Sequence, residues 1–476
     1  MADHSTKVYQ SMTSILALKT KMYQLAHSVE DSEAASTSPD STIYRLGILA
    51  AGEALNNHSN KEIDFFSKKY DISRKLFALY DKEGRKVVKE LLTQQGLQIF
   101  AGLLYLRVLL SIDQGASKID RVKYINVCWK VFDSIELPDF LNAERAQLEL
   151  LQDELFKQLP DKGLFNKIMP ADKVAIAPKA DWKGFRILPI DVLFYEGPIA
   201  RAYLEMLYTL KCRPRRIVHL IAKRDLVTQT LVGTFLPLFL RKKYMAKVQE
   251  KKIHHWPKYL FRAYNKLCME VFEQLSETLN NEQDTLLKNI YLRDLDHYCD
   301  NIISFPINSL KDSEFFEFIS QQNTSNYLFT GGGIIPKAFF GIKNTQFLHI
   351  HPGYLPDIRG ADCLLWSTML SEHPSATCFF MDAGIDTGNI INAAFLPQIK
   401  LPANALSLDV NITYRLLYSF IDPWIRASVM RDTLRLTDYF ENIVSTPQVI
   451  DTGTTFHFMH ENMRTEVIKK FLTRKD

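Results

Sequence analysis

The run ILPIDVLFYEG, from Ile187 to Gly197, constrains the fold of this chain more than any other stretch. It is apolar along most of its length and ends in glycine. A helical stretch from Ile199 to Leu210 follows, and then a second apolar run, RIVHLIA, from Arg216 to Ala222. Strand, turn, helix, strand is the repeating unit of a parallel sheet carrying helices on its faces. Further strands are expected at Ile302–Phe305, Tyr327–Thr330, Gln346–His351 and Ala376–Met381, so the second half of the chain reads as an α/β domain.

The first part has a different grammar. From the N-terminus to about residue 160, apolar residues recur at three and four spacing, which predicts helices over Tyr9–Val29, Asn60–Tyr80, Lys86–Ile112, Ile119–Ile135 and Ala143–Leu159. The polar piece from Glu30 to Thr42 reads as a loop, and no fixed-period repeat marks a solenoid. Four segments result: an all-α domain over 1–160, a linker over 161–185 rich in Pro, Gly and Lys, an α/β domain over 186–400, and a small C-terminal extension over 401–476. Within the α/β domain, residues 231–300 form a helical insertion containing RKKYMAKVQEKKIHHWPKY, whose basic run reads first as a solvated helix face. His254 and His255 in that run are expected at the surface or against an acceptor. In the extension, the helical stretch Leu408–Arg431 should be broken or kinked at Pro423, and TTFHFMH resembles a short strand.

Composition sets outer limits. At 476 residues, 46% of them apolar, the chain has ample material for two or three cores. A net charge of +4 gives no whole-chain argument for nucleic acid, which is therefore not expected as a partner. The six cysteines stand apart with no paired spacing, which argues against a disulfide framework or a structural zinc site and fits a reducing, cytoplasmic setting. The N-terminus lacks a basic segment followed by an apolar core. The stretch Gly96–Ile112 is interrupted by Gln98 and Arg107, so no transmembrane segment is expected.

The chemistry gathers in three places. In LHIHPGYLPDIRG, Leu348–Gly360, two imidazoles stand two positions apart, so His349 and His351 project from one face at the end of a strand, where open α/β sheets hold ligands. In FFMDAGIDTGNII, Phe379–Ile391, a strand gives way to a loop bearing Asp382 and Asp386. In NYLFTGGGIIPK, Asn326–Lys337, a strand leads into Gly331, Gly332 and Gly333, whose amides could bind a flat polar ligand, with Ile334 and Ile335 as an apolar wall. Tyr195, Glu196 and Gly197 end the first strand and open onto the same crevice, where the Gly197 amide could meet an acceptor phosphate. His-x-His with a distant Asp is also a ligand pattern of metal sites, and that alternative stays open.

HIHPGYLPDIRG followed by MDAGIDTGNII resembles the folate-dependent formyltransferase family, over about residues 186–400 with the helical insertion excepted. The resemblance implies a mostly parallel, Rossmann-like sheet and transfer of a formyl group from 10-formyltetrahydrofolate to an amine. It implies catalytic roles for His351, as donor to the oxyanion, and for Asp386, which would orient that histidine and relay protons. His349 departs from the family pattern, which has asparagine there; an imidazole donates from one nitrogen only unless protonated. The glycine loop and Asp382 would face the cofactor, and Tyr195, Glu196 and Gly197 the acceptor, with no metal. The family's tRNA-acting members carry a further β-rich domain that the last 75 or so residues do not resemble, so a small-molecule amine is the expected acceptor. A formyltetrahydrofolate hydrolase or metal-dependent enzyme on the same scaffold, and a non-catalytic folate- or partner-binding protein, are the alternatives. The helical domain is the candidate surface for a homo-oligomer or a protein partner.

Overall fold

The computed structural model describes residues 117–135, 142–160, 183–322, 326–331, 333–449 and 453–472, together with positions 101, 104, 105, 108 and 174. The helices expected over Tyr9–Val29 and Asn60–Tyr80, most of Lys86–Ile112, the loop Glu30–Thr42, nearly all of the linker, and Gly332 lie outside the described residues. The chain divides into two compact units, Met1–Leu159 and Pro160–Asp476.

Two helices of the first unit are described, α1 (Lys118–Phe132) and α2 (Asn142–Lys157). Ser117 caps α1 by accepting from the Asp120 amide, which satisfies one of the donors a helix start leaves unpaired. Val122, Ile125 and Phe132 of α1 and Leu148, Leu155 and Phe156 of α2 are buried. The indole of Trp129 donates to Gln152 Oε1 at 2.9 Å, fixing the pair in register through a buried polar bond.

The second unit is built on a seven-stranded sheet. Its strands are β1 (Arg186–Tyr195), β2 (Cys212–Ala222), β3 (Ile302–Ile307), β4 (Asn326–Phe329), β5 (Gln346–His351), β7 (Ser375–Phe380) and β8 (Ile390–Phe395), with β6 (Ile358–Gly360) and β9 (Thr454–Phe456) forming a separate pair. The order is β3-β2-β1-β4-β5-β7-β8. The first five strands run parallel, and β7 is antiparallel to both β5 and β8. The order reverses between β1 and β4, which makes this the topological switch point where a doubly wound sheet opens a crevice at the carboxyl ends of its strands. In β1 the register with β2 shifts between Leu188 and Asp191, at Pro189, which has no amide hydrogen to give the ladder.

Helix α3 (Pro198–Thr209) makes the first crossover, with proline in its opening turn where a missing N–H costs nothing. Between β2 and β3 the expected insertion is helical: α4 (Leu238–Ile253), α5 (His255–Ala263) and α6 (Asn265–Leu279), then a single turn at Gln283–Leu286. Helices α7 (Ser313–Ser320) and α8 (Cys363–Ser371) follow β3 and β6. After β8 come α9 (Val410–Leu416), a wide turn at Leu417–Ile421, α10 (Asp422–Leu436) and α11 (Glu461–Val467). Pro423 lies in the first turn of α10, so the expected break takes the form of the wide turn preceding it. Far from standing off as an extension, α10 packs against α3, β5, β7 and β8 and lays Trp424, Ile425 and Met430 fully into the core. All six cysteines are free and buried. Among the described residues no helix is long and apolar enough to cross a membrane.

Candidate active site

His349 and His351 end β5, and the antiparallel pairing sets Phe379 and Thr377 of β7 opposite them. Thr377 is the anchor of the turn that follows: its hydroxyl donates to the Gly353 carbonyl at 2.7 Å and accepts from the Leu355 amide at 3.0 Å. Gly353 lies so close to the His351 ring that a Cβ there would fall 2.4 Å from the Ile358 carbonyl oxygen and 2.7 Å from His351 Nε2. That glycine is required by proximity alone.

His351 is buried. Its Nε2 donates to the Ile358 carbonyl at 3.1 Å, and its Nδ1 stands 3.4 Å from Asp386 Oδ2. Both ring nitrogens thus face oxygen acceptors, and a neutral ring can serve only one of them. Burial pushes the imidazole down from its ordinary value, and the Asp386 carboxylate opposes that. Asp386 Oδ2 also accepts the Gly360 amide at 3.0 Å, and the residue holds a left-handed φ of 53°, a region aspartate tolerates. Asp386 is therefore aimed at His351 and steadied from the β6 side.

His349 is half-buried, between the rings of Phe329 and Phe379. Its Nδ1 donates to the Phe329 carbonyl at 3.0 Å. Burial, helped by the positive charge of Arg426, pushes its pKa down to about 4. Arg426 of α10 lies beneath β5, donating to the Ile350 carbonyl at 3.0 Å and to Asp422 Oδ2 at 2.9 Å. Nothing in its own neighbourhood of the sequence marks Arg426 as part of the site; only the packing of α10 on the sheet brings it there.

Gln448 is a second residue that sequence reasoning missed. Its amide donates to the carbonyls of Asp386 at 3.0 Å and Gly388 at 2.6 Å, and its Oε1 accepts from Arg359 at 3.1 Å. It lies beyond residue 400, near the β-bridge from Ile390 to Thr446, and binds the Asp386 loop to the loop after His351.

A cleft of about 420 Å³ opens at the carboxyl ends of β1 to β4, lined among others by Tyr195, Arg224, Asn308, Phe329, Gly331 and Gly333. Phe329 both lines this cleft and holds His349, which ties the cleft to the imidazole pair. A Cβ at Gly331 would come within 2.7 Å of the Phe329 ring. The expected apolar wall is divided: Ile335 is buried in the core, whereas Ile334 is 81% exposed. Asp382 folds its own loop, accepting from the Gly384 amide at 3.0 Å and the Thr387 hydroxyl at 2.7 Å.

Three expectations on the acceptor side need correction. Glu196 is not open to a ligand. It is buried, paired twice with Arg201 at 2.8 and 2.7 Å and with His254 Nε2 at 2.8 Å. Burial pushes its carboxyl up, but the bonds and charges of Arg201 and His254 outweigh that and bring it to about 2. The Gly197 amide donates to Glu196 Oε1 at 3.1 Å, so it is not aimed at an acceptor phosphate, and His254 is fully buried rather than at the surface. Among the described residues no group of three or more His, Cys, Asp or Glu side chains is placed to hold a metal ion.

Part of the chain is similar in sequence to methionyl-tRNA formyltransferases, members of the folate-dependent formyltransferase family. A methionyl-tRNA formyltransferase of Clostridioides difficile is 31% identical over 130 residues, which are 27% of this chain and 38% of that protein. One from Rickettsia felis is 43% identical over 61 residues, 13% of this chain and 20% of that protein. The chain thus spans well under half the length of these curated relatives. Among solved structures, a sugar N-formyltransferase from a Shewanella species aligns over 60% of this chain and 86% of its own, at 10% identity and a TM-score of 0.30. No protein-family model matches the chain. The names of the curated relatives overturn the expectation, drawn from net charge and the short C-terminal segment, that nucleic acid is not a partner. Net charge averages over a whole chain and says nothing of a local acceptor surface.

Proposed function

We propose that the second unit transfers a formyl group from 10-formyltetrahydrofolate to the primary amine of an acceptor. The observation that carries this reading is the contact of buried His351 with half-buried Asp386 at 3.4 Å, standing with His349 at the carboxyl end of β5 beside a cleft tied to them by Phe329. The cleft is within the size range of ordinary small-ligand sites. Gly331 and Gly333 line it with bare backbone, which fits a flat donor group, and the Asp382–Gly388 loop, held by Gln448, brings Asp386 to His351. A bound folate would supply the activated one-carbon unit; the chain would supply position, the exclusion of water and proton transfer.

The acceptor amine enters the cleft either as a whole small molecule or as the aminoacyl end of a larger one. The curated relatives, by their names, act on methionyl-tRNA, so both kinds belong in the assay. Purified wild type, His351→Ala and Asp386→Ala are to be given 10-formyltetrahydrofolate with methionyl-tRNA, amino-sugar nucleotides or free amino acids. The expected result is formylation of one acceptor class by wild type and a loss of at least about 100-fold in both variants. Unchanged rates in the variants would refute the reading. Formate release without any amine would point to a hydrolase, and folate binding without turnover to a binding protein.

A further inference from the structure

The proposed chemistry needs a group that takes a proton from the attacking amine, and the residue that departs from the family pattern is held in the form that can do so. We infer that His349 is the proton acceptor for the amine, not a donor to the oxyanion as the asparagine of the family pattern would be. This inference rests on the formyltransferase reading above.

The tautomer follows from the hydrogen bonding. A backbone carbonyl can only accept, so the 3.0 Å contact between His349 Nδ1 and the Phe329 oxygen requires the proton on Nδ1. In the neutral ring Nε2 then carries a lone pair. No partner holds Nε2 among the described residues, and it is not one of the polar atoms sealed from solvent without a partner. The charged and titratable groups around the ring keep it neutral. Arg426 approaches from α10, His351 from the same strand and Asp386 from the β7–β8 loop, while Phe329 and Phe379 flank it with apolar rings. Burial and the Arg426 charge both work against the imidazolium, and Asp386 only partly offsets them. An asparagine in this place would present an amide that cannot hold a proton.

The step balances without another reactant. The amine lone pair forms a bond to the formyl carbon while the carbonyl π pair moves to oxygen. The nitrogen is now positively charged and strongly acidic, so even a weak base beside it suffices, and its proton passes to His349 Nε2. The oxygen pair re-forms the carbonyl, the carbon–N10 bond breaks with its electrons going to N10, and the proton on His349 is delivered there. His349 ends as it began.

The experiment uses the full chain. Asparagine can keep the bond to the Phe329 oxygen through its amide nitrogen, so His349→Asn preserves the local fold while removing the base. Solid-state nitrogen NMR of ring-labelled histidine, with His349 assigned by its absence in the variant, should show a protonated Nδ1 and a bare Nε2 at neutral pH. Steady-state transfer should show kcat down by about 100-fold or more in His349→Asn, with KM for the folate donor within about twofold of wild type. A protonated Nε2 or an imidazolium in the wild type overturns the inference, as does a His349→Asn enzyme with wild-type kcat. Wild type that formylates no acceptor overturns the proposed function and the base role together; normal wild-type turnover with a fully active variant overturns the base role alone.

Discussion

Replacing Gly353 with alanine should cost both stability and turnover, and the structure allows the size of each to be worked out. Gly353 does not have a positive φ, so alanine carries no penalty of backbone conformation there. The cost is one of space. The new methyl would lie 2.4 Å from the Ile358 oxygen and 2.7 Å from His351 Nε2, the two atoms of a 3.1 Å hydrogen bond. Neither atom is the free end of a flexible chain: one is backbone, the other a ring buried against Thr377 and Asp386. Overpacking of this kind costs roughly 1–3 kcal/mol, and weakening a buried hydrogen bond adds about 1 kcal/mol. A destabilisation of about 2–4 kcal/mol is expected, read as a lower urea midpoint at unchanged slope by the emission of the buried Trp366 and Trp424. Because His351 must move, kcat for formyl transfer should fall by at least about 10-fold, since small misplacements at a reacting centre are costly. Gly341 is the control: it also lacks a positive φ, and a Cβ there meets nothing within 4 Å. Gly341→Ala should leave the unfolding free energy unchanged or raise it by up to about 1 kcal/mol. Equal midpoints and equal kcat for Gly353→Ala and Gly341→Ala would refute the claim that contact with Gly353 positions the histidine.

Thr377→Val keeps the shape of the side chain but strips the bonds to Gly353 and Leu355, leaving two backbone groups unpaired; a loss of about 2–4 kcal/mol is expected in the same urea titration. Gln448→Ala should lower kcat/KM for transfer by about 10-fold or more while the unfolding free energy falls by no more than about 2 kcal/mol, because its bonds hold the Asp386 loop rather than the core. Glu196 sets the acid limb of stability. Its folded carboxyl titrates at about 2, below its unfolded value, so the stabilisation is complete above the ordinary glutamate range and is lost as pH falls toward about 2. In Glu196→Gln the unfolding free energy measured near neutrality should drop by roughly 3–5 kcal/mol, since Arg201 stays buried without its partner, and the further decline between about pH 4 and 2 should flatten.

How much of this was legible in the sequence depends on how local the signal is. The run from Ile187, the strand Gln346–His351 and the spacing of the two histidines are short-range patterns, and each forms within a residue or two of where the pattern puts it. The loop between two apolar runs marks both Asp382 and Asp386 as candidates; the resemblance singles out Asp386, which stands 3.4 Å from His351. Glu196 is committed by one local and one distant contact. At a strand end it looks free for a ligand, but Arg201, five residues on in α3, forms its ion pair, and the return of the insertion brings His254 back over the first turn as a further hydrogen-bond partner. Basic residues in a charge run give no hint of which histidine turns inward; His254 is fully buried as its neighbour His255 continues into α5 at the surface.

The segment after residue 400 is the strongest case of long-range information. By composition it reads as an appendage, yet three of its contacts shape the site: Arg426 under β5, Gln448 across the Asp386 loop, and β9 alongside β6, where Thr454 pairs with Ile358. The last matters most for the chemistry. Ile358 is the residue whose carbonyl accepts the hydrogen bond from His351 Nε2, so β9 fixes the strand that decides which nitrogen of His351 is bound. Phe456 leaves no room for a side chain at Gly360, whose amide in turn binds Asp386. Both partners of the His351–Asp386 pair are thus set by the same three-residue strand, itself held by a segment about 100 positions further along the chain. The geometry of the pair therefore depends on the C-terminal segment, because β6, which contacts both His351 and Asp386, is itself paired with β9.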